Sequence, residues 1–329
     1  MLVLLLACTP PRAPALGEPD ALVAGDERTF SVPGWRDRDY IVHLPPGYDA
    51  GVPVPVVFGL HGGGGTKEGF DRSTCPDGDL SAPTCLLQVA DAEGFAVVLP
   101  DGTESPGMAR RFWNAGGGSE GWRCVGGSAC ADNLDHVAYF EKLLSEVTRA
   151  VNVDTDRVYA TGMSNGGAMS VRLACELPWV FAAVAPVSGG SQVGGWPGCA
   201  PSEPVPFLYQ HGTDDPCWGW DGESETAFCQ GEGLFRPPED TLAEWLTING
   251  CDGSTEEVLP DTADDGTRAI LVTGTGCAAD TVMVRIEGGG HAWAGGNPYL
   301  GESSIGAVPQ DYSASELVWA FFEAHPKAR

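Results

Sequence analysis

The sequence predicts an α/β fold in which a mostly parallel central sheet is flanked by helices on both faces. The predicted strands are apolar throughout, which is typical of strands buried on both sides. They alternate along the chain with helical segments, the order that favours a parallel sheet. Of the 329 residues, 43% are hydrophobic and 19% charged, the composition of a packed globular protein that needs no metal to fold.

The elements follow from these patterns in chain order. Residues 28–44 alternate and predict an opening β-hairpin. Buried strands are predicted at residues 54–60, 95–99, 157–161, 181–187, 206–210, 269–273 and 281–286. Helices are predicted at 85–92, 134–151, 165–175, 238–249 and 314–324, most clearly at 134–151, where apolar residues recur at helical spacing. Residues 26–329 show no repeat and are expected to form one domain.

Residues 1–25 are expected to be a leader followed by a disordered tether. The start is apolar, and Leu5-Leu6-Ala7-Cys8 resembles a bacterial lipobox, in which the cysteine is lipidated after cleavage. The next residues are rich in Pro, Ala and Gly, as in a flexible linker. Because the start lacks the basic residues of a secretory signal, a chance apolar start is the alternative. We expect an extracytoplasmic protein, secreted or anchored by a lipid at Cys8.

The charge of the chain excludes several partners. Lys and Arg number 18 against 45 for Asp and Glu, which gives a formal net charge of −27. Such a field repels phosphate backbones and anionic headgroups, so nucleic acid is excluded as a partner. No run approaches the roughly 20 apolar residues of a membrane span. The protein is expected to be a monomer.

The cysteines predict disulfide-stapled loops. There are eleven cysteines, and setting Cys8 aside leaves an even number. None has the spacing of a zinc site, so no metal is expected. Their Gly- and Pro-rich surroundings suit disulfides formed in an oxidising compartment. Pairing neighbours in order closes short loops and gives Cys75–Cys85, Cys124–Cys130, Cys175–Cys199, Cys217–Cys229 and Cys251–Cys277.

A nucleophile motif lies between a predicted strand and a predicted helix. Residues 162–166, GMSNG, match G-x-S-x-G, in which small residues allow a sharp turn that exposes the serine hydroxyl. Ser164 is therefore the candidate nucleophile. Residues 61–65, HGGGG, follow an earlier strand and match the glycine-rich loop that supplies an oxyanion donor. The N–H groups of Gly63 and Asn165 are the candidate oxyanion hole, and a flexible surface turn is the alternative for the glycine run.

A serine hydroxyl needs a base and an orienting carboxylate. Among the six histidines, His291 is the candidate base, because it follows the last predicted strand in a loop of small residues. His61 and His211 begin H-G turns, where structural hydrogen bonds are expected, and His136 is expected at the surface of a helix. Asp214 and Asp215 follow the fifth strand, and either could be the acid.

Four separated motifs carry a family resemblance. Residues 152–169 (NVDTDRVYATGMSNGGAM), 181–189 (FAAVAPVSG), 211–215 (HGTDD) and 289–293 (GGHAW) resemble the polyhydroxybutyrate depolymerase/feruloyl esterase family of α/β-hydrolases, similar to carbohydrate esterase family 1. The resemblance implies an α/β-hydrolase fold, Asp215 as the acid and no cofactor. The chain departs from the family in two places. Asp135-His136 replaces a pair of acids, and Ala294 follows Trp293 where the family has proline.

The resemblance implies a serine esterase that works through an acyl-enzyme. Trp113, Trp122, Trp218, Trp220 and Trp293 fall in loops expected at the catalytic end of the sheet, where Trp113, Trp218 and Trp293 are candidates to stack on a substrate. Packing of the loops is the alternative. This rim favours feruloyl or acyl esters on plant polysaccharide. The alternatives are a polyhydroxyalkanoate (3-hydroxybutyrate) depolymerase or oligomer hydrolase, a peptidase, and a non-catalytic glycan-binding lipoprotein.

Overall fold

The computed structural model describes residues 22–35, 38–107, 109–116, 127–192, 199–224 and 235–327. The strands in these ranges are β1 (Glu27–Ser31), β2 (Asp39–His43), β3 (Val54–Leu60), β4 (Ala96–Pro100), β5 (Thr103–Glu104), β6 (Arg111–Phe112), β7 (Val153–Met163), β8 (Ala183–Val187), β9 (Phe207–Gly212), β10 (Gly253–Val258), β11 (Arg268–Thr275) and β12 (Thr281–Glu287). The α-helices are α1 (Lys67–Ser73), α2 (Leu86–Glu93), α3 (Gly127–Ala131), α4 (His136–Ala150), α5 (Asn165–Glu176), α6 (Pro238–Ile248), α7 (Glu302–Ile305) and α8 (Ala314–Ala324), and Pro76–Gly78 form a 3₁₀ turn.

Ten strands form one mixed sheet in the order β1-β2-β4-β3-β7-β8-β9-β12-β11-β10. The six central strands, from β4 to β12, are parallel. The two outer strands on each side are antiparallel. The predicted mostly parallel sheet is therefore confirmed, and the two short strands β5 and β6 pair separately.

Both faces of the sheet are buried because successive side chains of a strand point to opposite faces. In β3, Val56 and Phe58 belong to an apolar cluster that includes Phe140 of α4. Val57 belongs to a second cluster, which includes Phe322 of α8. Every residue of β3, β4, β8 and β9 is buried, which explains the continuous apolar runs in the sequence.

The predicted hairpin, the central strands and five of the helices are confirmed, with boundaries displaced by a few residues. Sequence patterns missed the short elements α1, α3, α7, β5, β6 and β10. The α1 helix has seven residues, contains a glycine and buries only one large apolar side chain, Phe70. All six residues of β10 are exposed, so no alternation marks it as a strand.

Three of the predicted disulfides are confirmed: Cys75–Cys85, Cys175–Cys199 and Cys251–Cys277. Cys130 and Cys217 are also disulfide-bonded, whereas their predicted partners, Cys124 and Cys229, lie outside the described residues. The predicted leader with Cys8 and the tether up to residue 21 lie outside them as well. Among the helices of the described part, none combines the length and the apolar character of a membrane span.

Candidate active site

The carboxyl ends of β3, β7, β9 and β12 bring four of the candidate residues to one edge of the sheet. Gly63 follows β3, Ser164 follows β7, Asp215 follows β9 and His291 follows β12. These strands are parallel, with β8 between β7 and β9. Ligand sites of open α/β sheets lie at this edge.

Ser164 occupies a strained turn between β7 and α5. Its backbone has φ 56° and ψ −122°, in the positive-φ region that few residues other than glycine adopt. Its N–H donates to Val187 O at the end of β8 (2.8 Å). A Cβ at Gly166 would lie 2.2 Å from Leu60 O, so only glycine fits at this point of the turn. This geometry has the form of the strained strand-to-helix turn that the G-x-S-x-G spacing predicts.

The glycine run after β3 lies against this turn. An ideal Cβ on Gly63 would be 3.5 Å from Asn165 Cβ, and one on Gly62 would be 3.5 Å from Ser164 Cβ. Gly64 N–H donates to Arg111 O and Gly65 N–H donates to Gly62 O. Within the described part of the chain, the Gly63 N–H donates to no backbone oxygen. The candidate oxyanion donors Gly63 and Asn165 are therefore neighbours.

Asp215 and His291 form a buried hydrogen-bonded pair. His291 Nδ1 lies 2.7 Å from Asp215 Oδ2, and both residues are 3% exposed. Asp215 Oδ1 accepts bonds from the N–H groups of Cys217 and Trp218, each at 2.8 Å. Burial acts to raise the pKa of Asp215, but the interaction with His291 and the hydrogen bond from the Trp218 N–H prevail and hold this pKa below its usual value. The carboxylate is thus kept ionised next to the imidazole.

The two candidate aspartates, Asp214 and Asp215, differ in their hydrogen bonds. Asp214 Oδ1 accepts a bond from the adjacent Thr213 hydroxyl (3.0 Å), and only Asp215 is bonded to His291.

No hydrogen bond joins Ser164 to His291 in the structure as described. Such bonds are often long without substrate and tighten during the reaction. Ser188, which follows β8, links β9 to the loop that carries His291: its N–H donates to Gln210 O (2.9 Å) and its hydroxyl donates to Ala292 O (3.2 Å).

Comparison with known proteins places this geometry in a family. The family model described as "Putative esterase" matches residues 35–291. The chain belongs to this esterase family. Over 350 aligned residues, the esterase is 31% identical to the protein named "Putative esterase NocK" of Nocardia uniformis subsp. tsuyamanensis, covering 95% of this chain and 91% of that protein. It is 30% identical to feruloyl esterase D of Neurospora crassa, over 98% of this chain and 95% of that protein.

Solved structures agree with the fold. Native sOPH superimposes with a TM-score of 0.56 at 17% identity, over 96% of this chain and 91% of that one. The predicted resemblance to feruloyl esterases and the α/β-hydrolase fold are confirmed, and the protein is a carboxylic ester hydrolase.

The other buried histidines of the esterase have structural bonds. His61 Nε2 accepts from Gly102 N–H (2.9 Å), while its Nδ1 lies 2.8 Å from Gly62 O. His211 lies between Tyr209 Oη and Trp218 O, each at 2.7 Å. Burial lowers the pKa of His61 to about 4 and lowers the pKa of His211. Both imidazoles are therefore neutral. Their hydrogen bonds hold turns at the sheet edge that carries Gly63, Ser164, Asp215 and His291, called the catalytic edge below, and such structural bonds are what the sequence predicts.

The predicted surface position of His136 is wrong. This residue is completely buried, and its Nδ1 accepts from Asn114 N–H (2.7 Å) while its Nε2 lies 3.0 Å from Thr103 Oγ1. It shares the apolar face of α4 with Phe140 and Leu143, a spacing that indicates burial. Burial lowers its pKa well below the usual value, so it remains a neutral acceptor.

The predicted tryptophan rim is also corrected. Trp113, Trp218 and Trp293 are at most 2% exposed. Trp218 packs on Phe235, and Trp293 packs edge-to-face on Phe70. Their rings belong to the two apolar clusters of the core, so they offer no face to a substrate. Trp122 lies outside the described residues, and Trp220 is partly buried against the core.

Two aromatic residues that sequence analysis missed lie at the site instead. The ring of Phe112, which is partly exposed, would lie 3.2 Å from a Cβ on Gly63. Tyr299 is 39% exposed, and its hydroxyl donates to His291 O (3.4 Å). Neither residue belongs to a motif, and only the chain path brings them to the catalytic edge.

One set of side chains has the spacing of a metal site. Ligand atoms of Asp215, Cys217 and His291 lie within 4.8 Å of one another. However, Cys217 is disulfide-bonded and cannot act as a thiolate, the form of cysteine that binds metals. The remaining two groups are already bonded to each other, so this set does not fit a metal ion.

Proposed function

We propose that the esterase cleaves carboxylic esters through an acyl-enzyme on Ser164, with His291 as general base and Asp215 as the group that orients it. The observation that carries this proposal is the buried Asp215–His291 hydrogen bond of 2.7 Å at the same sheet edge as the strained Ser164 turn. An ionised Asp215 favours the imidazole tautomer that carries its proton on Nδ1, which leaves Nε2 free to accept the serine proton.

The reaction would proceed in two halves. Ser164 Oγ attacks the ester carbonyl carbon while its proton passes to His291, and the resulting oxyanion accepts hydrogen bonds from the N–H groups of Gly63 and Asn165. Collapse of this intermediate releases the alcohol, which takes the proton from His291. Water then attacks the acyl-enzyme by the same route and releases the acid. No cofactor or metal enters either half.

For the substrate, we propose feruloyl esters of plant polysaccharide. The support comes from relatives that are named feruloyl esterases, one of which aligns with 98% of this chain. The buried tryptophans do not contribute to this assignment. The partly exposed rings of Phe112, beside Gly63, and Tyr299, beside His291, could instead contact a phenolic acyl group.

We further propose that the esterase works outside the cytoplasm as one catalytic domain over residues 26–329 and as a monomer. Three disulfides support the location, because such bonds persist in oxidising compartments. Lipidation at Cys8 stays a prediction.

A competition experiment tests the mechanism and the substrate together. Purified esterase is offered methyl ferulate and a 3-hydroxybutyrate oligomer, with Ser164→Ala as the blank, and both released acids are measured. We expect ferulate to dominate, and we expect Ser164→Ala to lose at least about a thousandfold in kcat, because the remaining groups lack a nucleophile.

Each result has a distinct meaning. If Ser164→Ala retains activity within about tenfold of the wild type, the mechanism is wrong. If hydroxybutyrate dominates, the substrate is a polyester oligomer. If a fluorophosphonate probe fails to label Ser164 and neither ester is cleaved, the proposed activity is wrong and a binding role takes its place.

A further inference from the structure

One buried residue is bonded to both segments that carry the proposed oxyanion donors. Trp113 directly follows β6, and it is completely buried. Its indole Nε1–H donates to the carbonyl oxygen of His61 (2.9 Å), two residues before Gly63. Its backbone is bonded to the side chain of Asn165, the first residue of α5. Trp113 therefore connects the glycine run with the start of the helix.

The bonding between Trp113 and Asn165 is reciprocal. Trp113 N–H donates to Asn165 Oδ1 (2.7 Å), and Asn165 Nδ2 donates to Trp113 O (3.0 Å). A primary amide that donates to and accepts from a single residue fixes both its distance and its orientation, as a neighbouring strand would. The side chain of Asn165 thus holds its own backbone in a defined position relative to Trp113.

The segment that carries Trp113 is itself anchored below the site. Asn114 N–H donates to His136 Nδ1 (2.7 Å), and Asn114 Nδ2 donates to Leu134 O (2.9 Å). The ring of Trp113 contacts the ring of His136 edge-to-face, with centroids 5.5 Å apart. His136, which stands where the family has an acid, here supplies the acceptor for Asn114. Trp113 is consequently fixed from the side of α4 as well.

We propose that Trp113 and the side chain of Asn165 are positioning residues that set the separation of the Gly63 and Asn165 N–H groups. This inference rests on the proposed function, because it assumes that an oxyanion lies between those two donors. The two N–H donors stabilise the oxyanion only when they already point to its position. A small displacement of either donor therefore lowers kcat. We call the hydrogen bonds that join Trp113 to His61 O and to the Asn165 side chain the clamp. The clamp should affect kcat and leave ground-state binding almost unchanged.

The test uses Asn165→Ala, which keeps the backbone N–H and removes only the side-chain amide. With p-nitrophenyl acetate, kcat should fall by about tenfold to a hundredfold while KM changes by less than about threefold. The affinity of an arylboronic acid, which mimics the tetrahedral intermediate, should weaken in parallel with kcat/KM. Trp113→Phe removes the indole N–H and keeps an aromatic ring. It should also lower kcat and boronic acid affinity with little change in KM, but by a smaller factor than Asn165→Ala.

The chain offers a matched control. Asn249 is completely buried and makes the same reciprocal bonds with Val205, accepting at 3.2 Å and donating at 2.9 Å. It lies at the end of α6, outside the catalytic edge. Asn249→Ala should lower the thermal stability as Asn165→Ala does and leave kcat and boronic acid affinity unchanged.

The proposal is overturned if Asn165→Ala keeps kcat within about threefold of the wild type, or if Asn249→Ala loses as much kcat. Should Asn165→Ala fail to fold, Trp113→Phe decides the matter against Trp245→Phe, which alters an equally buried ring in α6. Ser164→Ala is measured in parallel. Activity in that variant contradicts the proposed function itself, whereas an inactive Ser164→Ala with a normal Asn165→Ala contradicts only the clamp.

Discussion

Three histidines are kept neutral in the interior by burial: His61, His136 and His211. His61 and His136 each accept a hydrogen bond from a backbone N–H, which a charged ring would break. The clearest case is His61, whose Nε2 must stay unprotonated to accept from Gly102 N–H. Protonation of this ring would therefore disturb the start of the glycine run that carries Gly63.

This burial predicts acid destabilisation. The pKa of His61 is lowered to about 4 in the folded state, and the unfolded chain takes up the same proton near the usual value of 6.5. The neutral, buried ring therefore contributes fully to the free energy of unfolding above pH 6.5. This contribution is lost as the pH falls from 6.5 towards 4, because the unfolded chain binds a proton that the folded chain does not. His61 alone should remove about 3 kcal/mol from the free energy of unfolding at pH 4, at 1.36 kcal/mol per pKa unit.

Urea unfolding between pH 7 and pH 4.5 measures this effect. His61→Gln, which keeps an acceptor for Gly102 N–H, should have a shallower pH dependence than the wild type, whatever its stability at pH 7. Parallel curves for the two proteins would show that His61 does not contribute to acid destabilisation.

At the scale of elements, the sequence predicts those helices and strands whose apolar residues recur with a clear period. The helices α4, α5 and α8 and the buried strands are long or strongly apolar, so their patterns survive in the sequence. The exposure of a single side chain in a loop depends on the path of that loop over the sheet. This is why the burial of Trp113 could not be predicted, whereas that of His136 could have been read from its position on the apolar face of α4.

The first residue of the unusual Asp135-His136 pair also has a local role. Asp135 is the N-cap of α4, and its Oδ1 accepts from Ala138 N–H (2.9 Å). Asp135→Ala should lower the free energy of unfolding by about 1 kcal/mol, and Asp135→Ser should restore most of it, because serine also caps helices. Urea titration at pH 7 measures both variants. Asp132→Ala, an exposed change just before this helix, is the control, and an equal loss there would contradict the cap.

At the scale of the whole molecule, the site exists only when the sheet is complete. Gly63, Ser164, Asp215 and His291 are spread over more than two thirds of the chain and meet only through the parallel order of β3, β7, β9 and β12. The motifs predict each residue separately, because each lies directly after a strand. The distances between these residues depend on the order of the strands in the sheet, and that order cannot be read from a single sequence.

The Cys251–Cys277 disulfide should act on the stability of the whole molecule without touching this site. Cys251–Cys277 closes the β10–β11 hairpin with a separation of 26 residues. A loop of that length corresponds to about 3.5 kcal/mol in the chain-entropy account. The double variant Cys251→Ser/Cys277→Ser should lose stability of that order in urea unfolding and keep wild-type kcat at 25 °C. A loss of kcat in the folded double variant would contradict the independence of the hairpin from the site.

The outermost strand, β10, limits how the molecule meets copies of itself. An edge strand with free backbone groups invites another strand to pair with it. All six residues of β10 are exposed, and Glu256 and Glu257 are its only charged residues. Glu256 is ion-paired with Arg285, but a second β10 added in antiparallel order would still bring the Glu257 carboxylates of the two chains towards each other, so the esterase's own charge opposes lateral growth of the sheet into fibrils.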